Sequence, residues 1–66
     1  VKNTIKIERA IKNMTQESLA IEIGVSRQTI NSIEKNRYIP STVLALKISK
    51  VFDKSVNEIF ELEEED

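Results

Sequence analysis

The side chains best equipped for chemistry fall in one short run: Arg27, Gln28, Thr29, Asn31, Ser32 and Lys35. These six carry a guanidinium, two amides, two hydroxyls and an ammonium, and no carboxylate. Such a set cannot assemble a nucleophile and its base, but it can exchange hydrogen bonds with the edges of nucleic-acid bases. An arginine fork matches guanine O6 and N7, a carboxamide matches adenine N6 and N7, and a threonine methyl can meet the methyl of thymine. The rest of the chain excludes other chemistries by omission. It holds no cysteine and no histidine, which removes disulfides, thiolate nucleophiles and the usual zinc sites, and fits a reducing cytoplasm. Catalysis would have to rest on Ser, Thr, Lys and carboxylates alone, and these do not cluster. The residues therefore point to no enzyme, no cofactor, no metal and no small-molecule ligand.

To act as a surface, these side chains need an element that turns them all one way. Successive residues of a helix advance by about 100°, so Ile30 and Ile33 mark a buried direction and leave Gln28, Asn31, Ser32 and Lys35 facing out, with Arg27 and Thr29 beside them. A polar helix face is, on its own, most often just solvated, so its setting matters. That setting is Thr15 to Lys35, TQESLAIEIGVSRQTINSIEK. Thr15 can cap a first helix, with Met14 placed to staple onto Leu19, and Ser26 can cap a second, with Val25 placed to staple onto Ile30. Gly24 sits where a helix ends on a left-handed residue, which glycine adopts without a Cβ clash. Leu19, Ala20, Ile23, Val25, Ile30 and Ile33 all point inward, and Ala20 is small enough to let the two helices approach. The pattern is that of a helix-turn-helix over 15–35, with its second helix over 27–35.

On these residues the chain resembles a known family. TQESLA, then Gly24, then VSRQTI are similar to the lambda-repressor-like family of phage repressors, Cro proteins and small bacterial or archaeal regulators, and the likeness extends over nearly the whole chain. It implies that residues 27–35 are a recognition helix, with Arg27, Gln28, Thr29, Asn31 and Ser32 toward bases. Gln16, first in its helix, is a candidate phosphate clamp, because a helix N-terminus attracts anions, and the resemblance implies the same role. Ser26, Lys35, Asn36, Arg37 and Tyr38 complete the expected phosphate contacts, although a K-N-R-Y loop is by itself often only a polar turn. The family also implies an internal ion pair between Arg9 and Glu34. One departure stands out. Glu8 occupies a place where the family usually has an aliphatic residue, and Ile7 is expected to take over that packing.

The flanking segments complete an all-α, compact five-helix domain. Residues 4–13 read as a first helix capped by Asn3 or Thr4, with Ile7, Ala10, Ile11 and Met14 as its core stripe. Pro40 stops any continuation of the recognition helix. Ser41 caps a helix over 42–52 with Leu44, Ala45, Ile48, Val51 and Phe52 inward, and Ser55 with Glu58 makes a capping box for a last helix over 55–60. The alternation Phe60, Glu61, Leu62, Glu63 also suits a short strand against Val1 to Asn3. More apolar side chains are present than five helices can bury, so either they close the monomer core or they form a twofold dimer through Ile39, Leu46, Val56 and Ile59. Such symmetry would set two recognition helices ~34 Å apart, one turn of an inverted-repeat operator.

Net charge is −1 over 66 residues, which at first argues against a nucleic-acid partner. Its distribution argues otherwise. Residues 61–66, ELEEED, hold five of the eleven acids, leaving residues 1–60 with ten basic and six acidic side chains, a net +4. A basic domain over 1–60 with an acidic tail over 61–66 can turn its positive face to DNA and the tail away. No apolar run approaches the ~20 residues that cross a bilayer, and no signal-peptide pattern appears, so the expectation is a soluble, unprocessed cytoplasmic protein. The expected function is a homodimeric, sequence-specific DNA-binding regulator acting as a repressor. The alternative is a protein-binding module, such as an antitoxin or adaptor, on the same fold.

Overall fold

Every helix after the first starts on a hydroxyl. In the computed structural model, which describes residues 1–66, Thr15 Oγ1 accepts from the Ser18 N–H at 2.9 Å, Ser26 Oγ from Thr29 at 3.1 Å, Ser41 Oγ from Leu44 at 3.2 Å and Ser55 Oγ from Glu58 at 3.3 Å. The first helix, α1 (Ile5–Ile11), has no such cap: Thr4 Oγ1 is buried without a partner, and Asn3 Oδ1 accepts from the Ile5 N–H instead. The four hydroxyl caps open α2 (Gln16–Ile23), α3 (Arg27–Glu34), α4 (Thr42–Phe52) and α5 (Val56–Ile59). Two of these caps are reciprocal. Glu58 reaches back to the Ser55 N–H at 2.9 Å, as the motif foretells, and Ser18 Oγ does the same for Thr15 at 3.0 Å, which the motif does not. Gly24 ends α2 at φ 77°.

A two-stranded antiparallel pairing joins β1 (Lys2–Asn3) to β2 (Phe60–Glu61), with Lys2 opposite Glu61 and Asn3 opposite Phe60. Of the expected alternation Phe60 to Glu63, only Phe60 and Glu61 become a strand, and they pair with Lys2 and Asn3 alone. Because Phe60 leaves the helix for this strand, α5 is a single turn, shorter than 55–60.

Ten side chains form the core: Ile5, Leu19, Ala20, Ile23, Ile30, Ile33, Leu44, Ile48, Phe52 and Ile59. Met14, Val25, Val51 and Phe60 pack against its edge. Ala20 is 1% exposed, and its small side chain lets α2 and α3 lie close. Two expectations are corrected here. Ile59 is 1% exposed, so it closes the monomer core and has no surface to give a second subunit. On α1, Ile7 and Ile11 face solvent, 59% and 68% exposed, while Ile5 and Glu8 point inward. The helix is rotated relative to the Ile7, Ala10, Ile11 stripe because the charge of Glu8 is answered from across the fold. Lys54 Nζ donates to Glu8 Oε2 at 2.9 Å, and this bond holds the Lys54 ammonium above its ordinary pKa. Glu8 thus occupies the aliphatic place, and Ile7 does not substitute for it. No helix is long and apolar enough to cross a membrane.

Candidate nucleic-acid interface

α3 lies on α2 through Ile30 and Ile33, both fully buried. Its opposite side is uncovered: Arg27 and Gln28 are exposed, while Thr29, Asn31 and Ser32 are half-buried along its flanks. The helix stops at Glu34, with Lys35 as C-cap and Asn36 in a left-handed turn at φ 60°. Lys35, Asn36, Arg37 and Tyr38 follow, all exposed. An open groove of about 440 Å³ runs beside α3, bordered by Gln28, Thr29, Ser32, Arg37 and Tyr38 among others. A second recess, of about 370 Å³, is lined only by the polar side chains of Gln16, Arg27, Gln28 and Asn31. Ser26 Oγ and Thr29 Oγ1 lie 2.9 Å apart and share a hydrogen, so the Thr29 hydroxyl is occupied at its own helix start. Asn36 Oδ1 accepts from Asn3 Nδ2 at 3.3 Å, and the same nitrogen donates to the Ile33 carbonyl at 2.9 Å. These two bonds tie β1 to the end of α3.

Behind the exposed face lies a continuous polar network. Arg9 grips Glu34 with two bonds, Nε to Oε2 at 2.6 Å and Nη2 to Oε1 at 3.0 Å, while its Nη1 donates to the Met14 carbonyl at 2.9 Å. The two side chains are 14% and 7% exposed, so this is an interior pair. Gln16 joins them: its Nε2 donates to Glu34 Oε1 at 3.2 Å and to Asn31 Oδ1 at 3.3 Å. This changes the part expected of Gln16. Both side-chain hydrogens of its amide are engaged within the protein, so the side chain cannot clamp a phosphate without breaking them. The backbone N–H of Gln16, in the first turn of α2, has no acceptor in the protein and keeps that capacity. The Gln16 to Asn31 link has no sequence signal, because the two residues lie 15 positions apart on different helices.

A family described as helix-turn-helix matches residues 5–59. The chain belongs to that family. Its relatives carry the same description: an HTH-type transcriptional regulator of Methanocaldococcus jannaschii is 50% identical over 66 residues, covering 100% of both chains. Another, YgzD of Bacillus subtilis, is 48% identical over 65 residues, covering 98% of each. Among solved structures, the restriction-modification controller protein C.AhdI from Aeromonas hydrophila superposes with a TM-score of 0.77 at 28% identity, covering 85% of both chains. The lambda-repressor-like fold and its regulatory family are thereby shown for this chain.

In this helix-turn-helix regulator, several apolar side chains stay on the surface. Ile39 and Leu46 are 67% and 57% exposed, and Val56 is half-buried. Ile39 and Val56 border a groove of about 250 Å³ together with Pro40, Ala45, Phe60 and Leu62.

Proposed function

We propose that this protein is a cytoplasmic transcriptional repressor that binds an inverted-repeat operator as a homodimer. The observation that carries the reading is the outward face of α3, where Arg27 and Gln28 stand exposed on a helix whose back is locked onto α2. A surface of amides, hydroxyls and cations without aliphatic anchors suits base edges better than the core of a protein interface, which favours aromatics and methionine. Arg27, Gln28, Thr29, Asn31 and Ser32 read bases, with Thr29 offering its methyl. Ser26, Lys35, Asn36, Arg37, Tyr38 and the backbone N–H of Gln16 hold phosphates, which fixes register without carrying sequence information. Residues 1–60 act as the DNA-binding domain, and the acidic run over 61–66 points away from the duplex. Dimerisation uses Ile39, Leu46 and Val56. In this reading the protein represses by occupying a promoter.

A second reading, a protein-binding module such as an antitoxin or adaptor, is favoured by the exposed aliphatic side chains of Ile7, Ile11 and Ile21, at 59%, 68% and 74%. Selection of bound duplexes from a random pool separates the two. The proposed function yields a palindromic consensus whose half-sites lie about one helical turn apart, with an affinity that falls steeply as salt rises. Recovery of no consensus, with binding equal on all duplexes, would sink it.

A further inference from the structure

The orientation of one base-reading amide is decided inside the protein. Glu34 receives two guanidinium N–H groups from Arg9 and acts only as an acceptor. The Gln16 atom lying 3.2 Å from Glu34 Oε1 must therefore be the donor nitrogen, Nε2. That same nitrogen lies 3.3 Å from the amide of Asn31, so the Asn31 atom facing it must be the acceptor, Oδ1. Asn31 is left with Nδ2, carrying two hydrogens without a partner in the protein, and the residue lines the polar recess with Gln16, Arg27 and Gln28. Turning Asn31 over would set two donors face to face. Turning Gln16 with it would instead bring the Gln16 oxygen against the Glu34 carboxylate, two acceptors in contact. Each flip costs a hydrogen bond and adds a repulsion, so the chain from Arg9 through Glu34 and Gln16 to Asn31 has one consistent arrangement.

We infer that Gln16 and Glu34 are specificity-positioning residues that make Asn31 present a donor-only edge, so that it selects guanine and disfavours adenine. This rests on the reading that α3 enters the major groove. Guanine offers two adjacent acceptors, O6 and N7, to the two hydrogens of one amide nitrogen. Bidentate recognition of adenine needs the amide oxygen as well, to accept from N6, and in this protein that oxygen is held by Gln16.

The test uses the full chain and the duplex recovered by selection. Asn31→Ala first locates the base pair this residue reads, as the position at which preference flattens. At that pair, the parent protein is expected to favour guanine over adenine by about tenfold, and 7-deazaguanine, which lacks N7, is expected to lose much of the gain. Gln16→Met keeps the side-chain length but frees Asn31 to turn, so adenine should come within about threefold of guanine at that pair alone. A purely structural role for Gln16 would weaken every base equally, and that result overturns the inference, as does a parent preference for adenine there. If Asn31→Ala flattens no position on a selected duplex, the inference fails while DNA binding stands. If no duplex is selected, the groove-reading premise fails first and takes the inference with it. A measurement without DNA checks the positioning itself: in the free protein the side-chain amide protons of Gln16 should exchange with solvent more slowly than those of Asn31, and the reverse order refutes it.

Discussion

Replacing Arg9 by methionine tests whether the interior network holds α2 and α3 to α1. The change keeps the aliphatic stem and removes the guanidinium, so Glu34, 7% exposed, loses both bonds at 2.6 and 3.0 Å. The Met14 carbonyl loses its donor as well. Breaking one side of a buried pair generally costs about 3–5 kcal/mol, because the other charge is stranded. Here Gln16 still donates to Glu34, which favours the lower end, about 3 kcal/mol. A domain of 66 residues has a total stability of only about 3–10 kcal/mol, so the loss consumes much of it. At about 4–8 °C per kcal/mol for so small a domain, the midpoint of thermal unfolding should fall by roughly 20 °C. Far-UV circular dichroism melts of the parent, Arg9→Met and the double variant Arg9→Met/Glu34→Met give the measurement. The double variant should recover most of the loss, since replacing both partners removes the stranded charge. A drop of less than about 5 °C in the single variant would place the pair in the range of exposed ion pairs and refute the reasoning.

Gly24, at φ 77° with open space where a Cβ would stand, should lose about 1–2 kcal/mol on Gly24→Ala from backbone strain alone, and less on Gly24→Asn. Equal urea midpoints for all three proteins would remove the left-handed turn from the account. Glu58 is held below its ordinary pKa by the Ser55 N–H and hydroxyl. Its folded value lies under its unfolded one, so its contribution is complete above about pH 4.5 and lost as pH falls through the lowered value. Glu58→Gln should flatten the acid limb of the stability profile, and an unchanged limb argues against the cap. Lys54, raised by Glu8, has the opposite sign: its contribution is complete below its ordinary value and lost as alkaline pH rises through the raised one. Lys54→Met should therefore flatten the alkaline limb. Leu46→Glu, at a side chain 57% exposed, should leave the fold intact and give monomers by sedimentation. Operator affinity should then fall by about tenfold or more as the half-sites bind singly, whereas an intact dimer moves the interface elsewhere.

What could be read from the chain alone was whatever its local chemistry dictates. Thr15, Ser26, Ser41 and Ser55 are capping residues by type and position, and each one caps. Gly24 and the inward set of Leu19, Ala20, Ile23, Ile30 and Ile33 follow from helical periodicity and one positive φ, and these place α3 with its polar side outward. The candidate DNA face was legible for the same reason: where a helix buries two isoleucines three apart, the other side is determined. The state of each side chain on that face was not. Thr29 Oγ1 turns to Ser26, and Gln16 turns inward to Glu34 and Asn31. These bonds depend on how α2 and α3 cross, which no local spacing records.

The rotation of α1 shows the limit most sharply. Ile7 and Ile11, four residues apart, look like a core stripe, and an acid between them looks like its solvent side. Periodicity weighs each side chain by its own hydrophobicity and takes no account of a partner 46 positions away. Once Lys54 reaches Glu8, burying the carboxylate no longer carries the cost of an unpaired charge, and Ile5 takes the adjoining core place at 0% exposure. The rotation then has a further effect, because it sets Arg9, next to Glu8, at the angle from which it grips Glu34. On this argument the buried acid and the interior pair are linked: the helix turn that admits Glu8 is the one that delivers the guanidinium to the back of α3, and with it the fixed edge of Asn31.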